Sequence, residues 1–330
     1  MPKLVKAGLR VAVCDQLEDP KKTKKIVKRG VTEIITPGLA TVDGVVNPKS
    51  NNFLASLHFA GTVGLSLLDI STGEFLIAEG DIEYTAKLLD NFSPNEVLIT
   101  KENKKHFVKS YSDSFNLFFL DEWVFNLDYA NDLLKKQFET SSLKGFGIDD
   151  LNNGIISSSA IMHYLNETQN ERLNHINSIK RIPKEGHVWL DRFTIRNLEL
   201  FRPNSVEGKC LIDVIDQTSS PMGGRLLKRW VALPSCDKEV IISRHNIVEF
   251  LISDEKRNEL IYNVISKLSD IERLTNYKQR KRNLISRVKI LEEKDDEASK
   301  LELKRLEQKY TIGKVNFDSV IIIDFGDSLK

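Results

Sequence analysis

Three apolar runs separated by short turn signals constrain this chain more than any other stretch. Residues 53–59 and 63–70 are divided only by Ala60-Gly61-Thr62, and Ser71-Thr72-Gly73-Glu74 leads into a third run at 75–78. Short runs rich in Leu, Ile, Val and Phe, punctuated by Gly and Thr, predict a three-stranded meander. A helical pattern at 82–91 follows, then strands at 96–100 and 116–120. Residues 40 to about 157 therefore read as one small α/β unit, an antiparallel meander joined by helices.

The flanks have a different texture. Residues 9–14 and 34–38 are short β runs, the second stopped by Pro37-Gly38, and between them Asp19-Pro20 opens a basic helical stretch at 21–28. After Gly154 amphipathic helices take over. Ala160, Ile161, Tyr164 and Leu165 share one face of a helix at 157–172, and Val240, Ile241, Ile247, Val248 and Leu251 are in helical register at 237–252. Between these, Leu226, Leu227 and Trp230 fall together on one face and are the expected anchors of a helical core. Gly223-Gly224 fits either a close backbone packing point or a loop pair. Residues 275–309 hold neither Gly nor Pro and more Lys and Arg than Asp and Glu, which predicts a long exposed or partly coiled helix. A last apolar run at 315–325 reads as a strand.

Composition excludes whole classes. With 330 residues, 41% hydrophobic and 29% charged, the chain has enough apolar surface for one or two cores and is neither disordered nor fibrous. No apolar run approaches the roughly 18 residues of a membrane span, and Met1-Pro2-Lys3-Leu4-Val5-Lys6 carries no apolar signal region, so the expectation is a soluble intracellular protein. Cys14, Cys210 and Cys236 are odd in number and far apart, which offers neither a disulfide framework nor a zinc ribbon.

The search for chemistry is mostly negative. A phosphate-binding loop needs backbone amides around the phosphates and a Lys to neutralise them. Gly208-Lys209 runs into Cys210, and Gly223-Gly224 into Arg225-Leu226, so neither fits. Gly64-Leu65-Ser66-Leu67-Leu68 fails as a nucleophile elbow at its last position. His58, His106, His163, His175, His187 and His245 show no metal-binding spacing. Asp69 ends an apolar strand, where a turn residue or a metal-binding nuclease carboxylate would both sit, but one carboxylate is not a two-metal site and Asp149-Asp150 is the only other close acidic candidate. No catalytic residue, metal or cofactor is assigned, and the chain is not read as an enzyme. Two basic clusters remain as candidate DNA phosphate contacts: Lys21, Lys22, Lys24, Lys25, Lys28 and Arg29, and Lys278, Arg280, Lys281, Arg282 and Arg287. A solvated face is the competing reading of both.

Longer motifs carry a resemblance. Arg10-Val11-Ala12-Val13-Cys14-Asp15-Gln16-Leu17-Glu18-Asp19-Pro20, Val27-Lys28-Arg29 and Ile34-Ile35-Thr36-Pro37-Gly38 resemble the end of the mismatch-recognition domain in the bacterial DNA mismatch repair family MutS. Leu68-Asp69-Ile70-Ser71-Thr72-Gly73-Glu74-Phe75 resembles that family's connector strands. Asp191 to Leu200, Leu211 to Thr218, Thr218 to Trp230 and Asp270-Ile271-Glu272-Arg273-Leu274 follow in family order at family spacing. The resemblance covers about residues 2–274. It implies a multidomain α/β plus all-α architecture: residues 1–38 as the C-terminal edge of the mismatch-recognition domain, 39–157 as an RNase-H-like α/β connector domain, 158–274 as part of a helical core or lever domain, and 275–330 as an atypical helical tail.

The family's Phe-x-Glu wedge, which inserts an aromatic at a mispair, and its phosphate-binding ATPase motif have no counterpart in these residues. The resemblance therefore implies a relay and docking role, between mismatch binding and an ATPase domain, with ATP and Mg²⁺ belonging to the full-length family protein and no cofactor here. The implied partners are mismatched duplex DNA in the full-length context, a MutL-type repair protein through the connector, and a second copy through the ATPase domain. The implied location is the bacterial cytoplasm, at the nucleoid. The alternatives are an RNase-H-like nuclease, which needs clustered carboxylates, and a nonspecific DNA-binding module.

Overall fold

The computed structural model describes residues 2–16, 29–40, 47–111, 115–168, 173, 175–205 and 207–274. Residues Met1–Val11 and Glu33–Arg280 belong to one compact unit. Of the second unit, the described residues are parts of two strands, β1 (Val11–Gln16) and β2 (Arg29–Ile35), which pair in a two-stranded sheet.

The first unit opens with α1 (Pro2–Lys6) and is built on the predicted meander, β3 (Phe53–Phe59), β4 (Val63–Asp69) and β5 (Glu74–Gly80). Helix α2 (Ile82–Phe92) leads to β6 (Glu96–Thr100), α3 (Lys104–Ser110) to β7 (Leu117–Leu120), and α4 (Leu127–Gln137) to α5 (Asn152–Glu167). A two-residue strand, β8 (Lys180–Arg181), completes a six-stranded mixed sheet in the order β7-β6-β3-β4-β5-β8. β3, β4 and β5 are antiparallel, while β6 joins β3, β7 joins β6 and β8 joins β5 in parallel.

Side chains of a strand alternate between faces, so a sheet covered on both sides reads as continuous apolar runs. Leu54, Leu68, Ile77 and Leu98 face α4 and α5, whereas Ala55, Leu65, Leu67, Val97 and Ile99 face Leu88 and Leu89 of α2 and Phe107 of α3. This two-sided cover explains why the meander lacks a polar alternation.

The sequence texture suggests a division near residue 157, but that point falls inside α5, which packs on β3, β4 and β5 along its length. Small residues make the approach possible. A β-carbon on Gly64 would lie 2.0 Å from the Asn153 carbonyl carbon. Ser66 meets Ser157 and Ser158 at 2.6 and 2.8 Å. Glu79 of β5 caps the helix from outside its own sequence, accepting from the Asn153 and Gly154 amides at 2.9 and 3.1 Å. Helical texture begins where the sheet's own cover begins, so composition does not mark the boundary.

The remaining helices are α6 (Arg192–Asn197), α7 (Leu211–Ile215), α8 (Pro221–Ala232), α9 (Lys238–Ile252) and α10 (Glu255–Ile265). Ser220 caps α8 through the Gly223 amide and Pro221 starts it. The expected anchors of this helix are displaced: Leu226 is 47% exposed, Trp230 40%, and Leu227 half-buried. Its buried positions are Gly224, Arg225 and Ala232. Helical spacing put the apolar triad on one face, but a charged residue, Arg225, faces inward instead. Trp230 is covered on one side by the Arg244 guanidinium, 3.8 Å from its ring centroid. No residue of α9 or α10 is buried among the described residues. No helix there is long and apolar enough to cross a membrane. The expected helices at 21–28 and 275–309 and the strand at 315–325 lie outside the described residues.

Candidate functional site

The densest polar constellation surrounds the segment Asn47–Asn52, which enters β3. Two amide side chains anchor it, Asn51 to the sheet and Asn52 to the turns beside it. Asn52 is buried and donates through Nδ2 to the carbonyls of Pro37 and Ala40, at 3.0 and 2.9 Å, while its Oδ1 accepts from Asn95. Asn51 donates to Asp69 Oδ2 at 2.9 Å.

Asp69 is fully buried at the end of β4, and every contact it makes is structural. Oδ2 also accepts from the Asn52 amide at 3.2 Å, and Oδ1 from the Ser71 amide and hydroxyl at 2.9 and 2.6 Å. Four donors on one carboxylate make it a turn organiser, and no group of three metal-ligating side chains exists among the described residues.

The helical part of the unit grips the same segment from the other side. Lys49 Nζ reaches Asp216 Oδ1 at 3.0 Å and the Thr218 carbonyl at 2.8 Å. Its stem lies so close to α8 that a β-carbon on Gly224 would come within 2.8 Å of Lys49 Cγ, which identifies Gly224 as a packing glycine. Arg225 Nη1 donates to the Pro48 carbonyl at 2.8 Å. Its two terminal nitrogens also form a bidentate pair with Asp270 at 2.7 and 2.8 Å, and Nη2 reaches Glu272. Arg273 Nη2 donates to the Ser50 carbonyl at 2.9 Å, Lys228 Nζ to the Ser50 hydroxyl, and Arg229 to Glu74 on β5.

The electrostatics follow from this geometry. Burial alone would lower the Arg225 basicity, but the hydrogen bonds and charges of Asp270 and Glu272 outweigh it and raise it above the usual value. Burial acts to raise Asp216 and Asp270, yet Thr218 and Lys49 for the first and Arg225 and Arg273 for the second hold both carboxyls below the usual range. Lys228 is lowered by burial, which the carboxylates nearby offset only in part. The arrangement bonds one segment to the sheet and to the helices at once.

Of the residues singled out from sequence, Lys21, Lys22, Lys24, Lys25, Lys28, Lys278, Arg280, Lys281 and Arg282 lie outside the described residues, and of Arg29 only the backbone, in β2, is described. Among the histidines, His58 stacks on Phe125, His175 Nε2 lies 2.9 Å from the Ile70 carbonyl oxygen and His163 pairs with Tyr129 and Glu167. Lys49, Arg225, Asp270 and Arg273 escaped the sequence reading. The last three were present as charges embedded in the Gly-Gly-Arg and Asp-Ile-Glu-Arg motifs, whose partners lie more than forty residues away; Lys49 stood in no motif.

Comparison with known proteins adds a frame to this geometry. Family models described as MutS domain I, MutS domain II and MutS domain III match residues 1–44, 52–177 and 193–321. The third match continues past Leu274, where the motif resemblance ended. Over 275 residues the chain is 56% identical to the DNA mismatch repair protein MutS of Christiangramia forsetii and 54% identical to that of Flavobacterium psychrophilum, covering 83% of this chain and 32% of each relative. The Parabacteroides distasonis protein of the same name is 51% identical over 275 residues, with the same coverage. The chain thus spans about a third of the length of the curated relatives it matches. Residues 48–51 fall between the first two matches, and the side chains that grip them from α8 and 270–273 fall in the third.

Proposed function

The chain belongs to the MutS family of DNA mismatch repair proteins, and from that premise we propose that it is the connector and core region of such a protein, relaying between mismatch binding and an ATPase domain. The observation that carries this is the double hold on residues 48–51, by Asn51 and Asn52 on the sheet and by Arg225, Lys228 and Arg273 on the helical side. A relay needs an element that both parts bias. The strand order, with a meander extended by two parallel strands on the β3 side, supports an RNase-H-like connector. In this reading the domain roles the resemblance implies are kept, with α5 wholly in the connector whose sheet it covers, ATP and Mg²⁺ act elsewhere in the full-length protein, and a MutL-type partner docks on the connector. Mismatched duplex is the ligand of the whole protein, a homodimer forms through the ATPase domain, and the bacterial cytoplasm is the compartment.

A chimaera tests this. Residues 1–274 replace the matching stretch of the Flavobacterium psychrophilum relative in cells lacking their own copy. Low spontaneous mutation frequency is expected, rising when the chimaera carries Arg225→Ala. A stably produced chimaera that leaves the frequency at the deletion level overturns the reading.

A further inference from the structure

Arg225 is the one Lys or Arg that is buried among the residues whose side chains are described, and its contacts close a circuit. From the Pro48 carbonyl the path runs through Arg225 to Asp270, from Asp270 Oδ1 to the Arg273 amide at 3.3 Å, and from the Arg273 guanidinium back to the Ser50 carbonyl. Arg225 bonds both stretches, and Arg273, itself part of the second, bonds the first. If either stretch leaves, Arg225 loses part of its compensation while still buried, and an uncompensated buried charge is strongly unfavourable. Staying together avoids that penalty.

We propose that residues 48–50 and 270–273 open and close as one element, with Arg225 as the positioning residue that couples them. This deepens the relay reading, because it names the contact through which a change in the helical part would reach the segment entering β3. The coupling itself is a property of the folded chain and does not depend on that reading. Lys49 provides a way to measure it: it sits on the first stretch, yet its ammonium binds Asp216 and the Thr218 carbonyl, away from residues 270–273. Coupling free energies are reciprocal, so weakening one side must be felt on the other.

The experiment is hydrogen exchange on the purified 330-residue chain. The Lys49 and Ser50 amides donate to Asn47, and the Arg273 and Leu274 amides to Asp270, so each stretch reports its own opening. Lys49→Met is expected to speed exchange at both stretches by about tenfold, the factor for loss of one charged hydrogen bond, while amides of β4 keep the parent rate. In an Arg225→Lys background, which lacks the planar fork that pairs with Asp270 while reaching Pro48, Lys49→Met should speed only 49–50. Acceleration confined to 49–50 in the parent background overturns the proposal. Should β4 also exchange faster, Ser50→Ala, which loses only the Lys228 contact, replaces Lys49→Met with the same two outcomes. A failed chimaera with co-opening intact would count against the relay alone.

Discussion

The Tyr164 hydroxyl donates to Glu96 Oε1 at 2.6 Å, in a place where both residues are buried and where Glu96 Oε2 accepts from the Gly38 amide at 3.0 Å. One carboxyl thus fastens α5 and the 36–40 turn to the same strand, β6. Burial, and then the adjoining Glu96, push the Tyr164 phenol above its ordinary range, so it is a donor at neutral pH. Tyr164→Phe removes the donor and leaves a buried acceptor unmet. The expected loss is about 1–3 kcal/mol, read as a shifted urea midpoint with unchanged slope. A variant as stable as the parent would show that Glu96 finds another donor.

Trp230 has a different standing. With 40% of its surface exposed and its covered face against Arg244, it cannot contribute what a fully buried Trp would, for which truncation costs about 3–5 kcal/mol. Trp230→Ala is expected to cost less than about 2 kcal/mol, combining partial burial with loss of a cation–π contact. Thermal unfolding measures it, and a loss of the full buried size would place Trp230 inside a core.

The two cases mark what the sequence can carry. The meander, α2, β6 and β7 were legible because each apolar run is matched to a turn signal a few residues away. Leu226 and Trp230 were placed on the correct shared face, but which face turns inward is decided by Pro48, Asp270 and Glu272, residues remote in sequence. Asp69 reads from sequence as either a metal ligand or a turn residue; only its four donors decide. Arg225 and Asp270 were visible as letters of a motif, yet a bidentate pair forty-five residues apart leaves no local pattern.

Acid should loosen the hold on residues 48–51. Asp216 and Asp270 have folded pKa values below their unfolded ones, so their stabilisation is full above the unfolded value and is lost as pH falls through the ordinary carboxylate range toward the folded pKa. Arg225 stays charged throughout. Between neutral pH and about pH 5 these two groups should contribute a constant amount, with the decline setting in below about pH 4. Asp270→Asn is expected to be less stable than the parent at neutral pH and to lose less on acidification. Unfolding curves for both proteins across pH check this, and identical pH slopes would remove Asp270 from the account.

DNA binding by this chain is expected to be electrostatic. Its sequence contains no Phe-x-Glu to insert at a mispair, and the proposed contacts, Lys21 to Arg29 and Lys278 to Arg282, are of the kind that position a protein on phosphates without reading bases. Each neutralised phosphate releases counterions, so log affinity should fall against log salt with a slope of about 0.9 per contact. Replacing Lys21, Lys22, Lys24 and Lys25 together by Gln should flatten that slope and lower affinity equally for all duplexes, whereas the same change on a merely solvated face would alter neither. Fluorescence anisotropy on matched and G·T-containing duplexes through a salt series makes the measurement. Equal affinity for the two duplexes at every salt concentration is expected, because the phosphates are the same in both. A preference for the mispair that survives high salt would require a base-reading group among these residues and would displace the phosphate account.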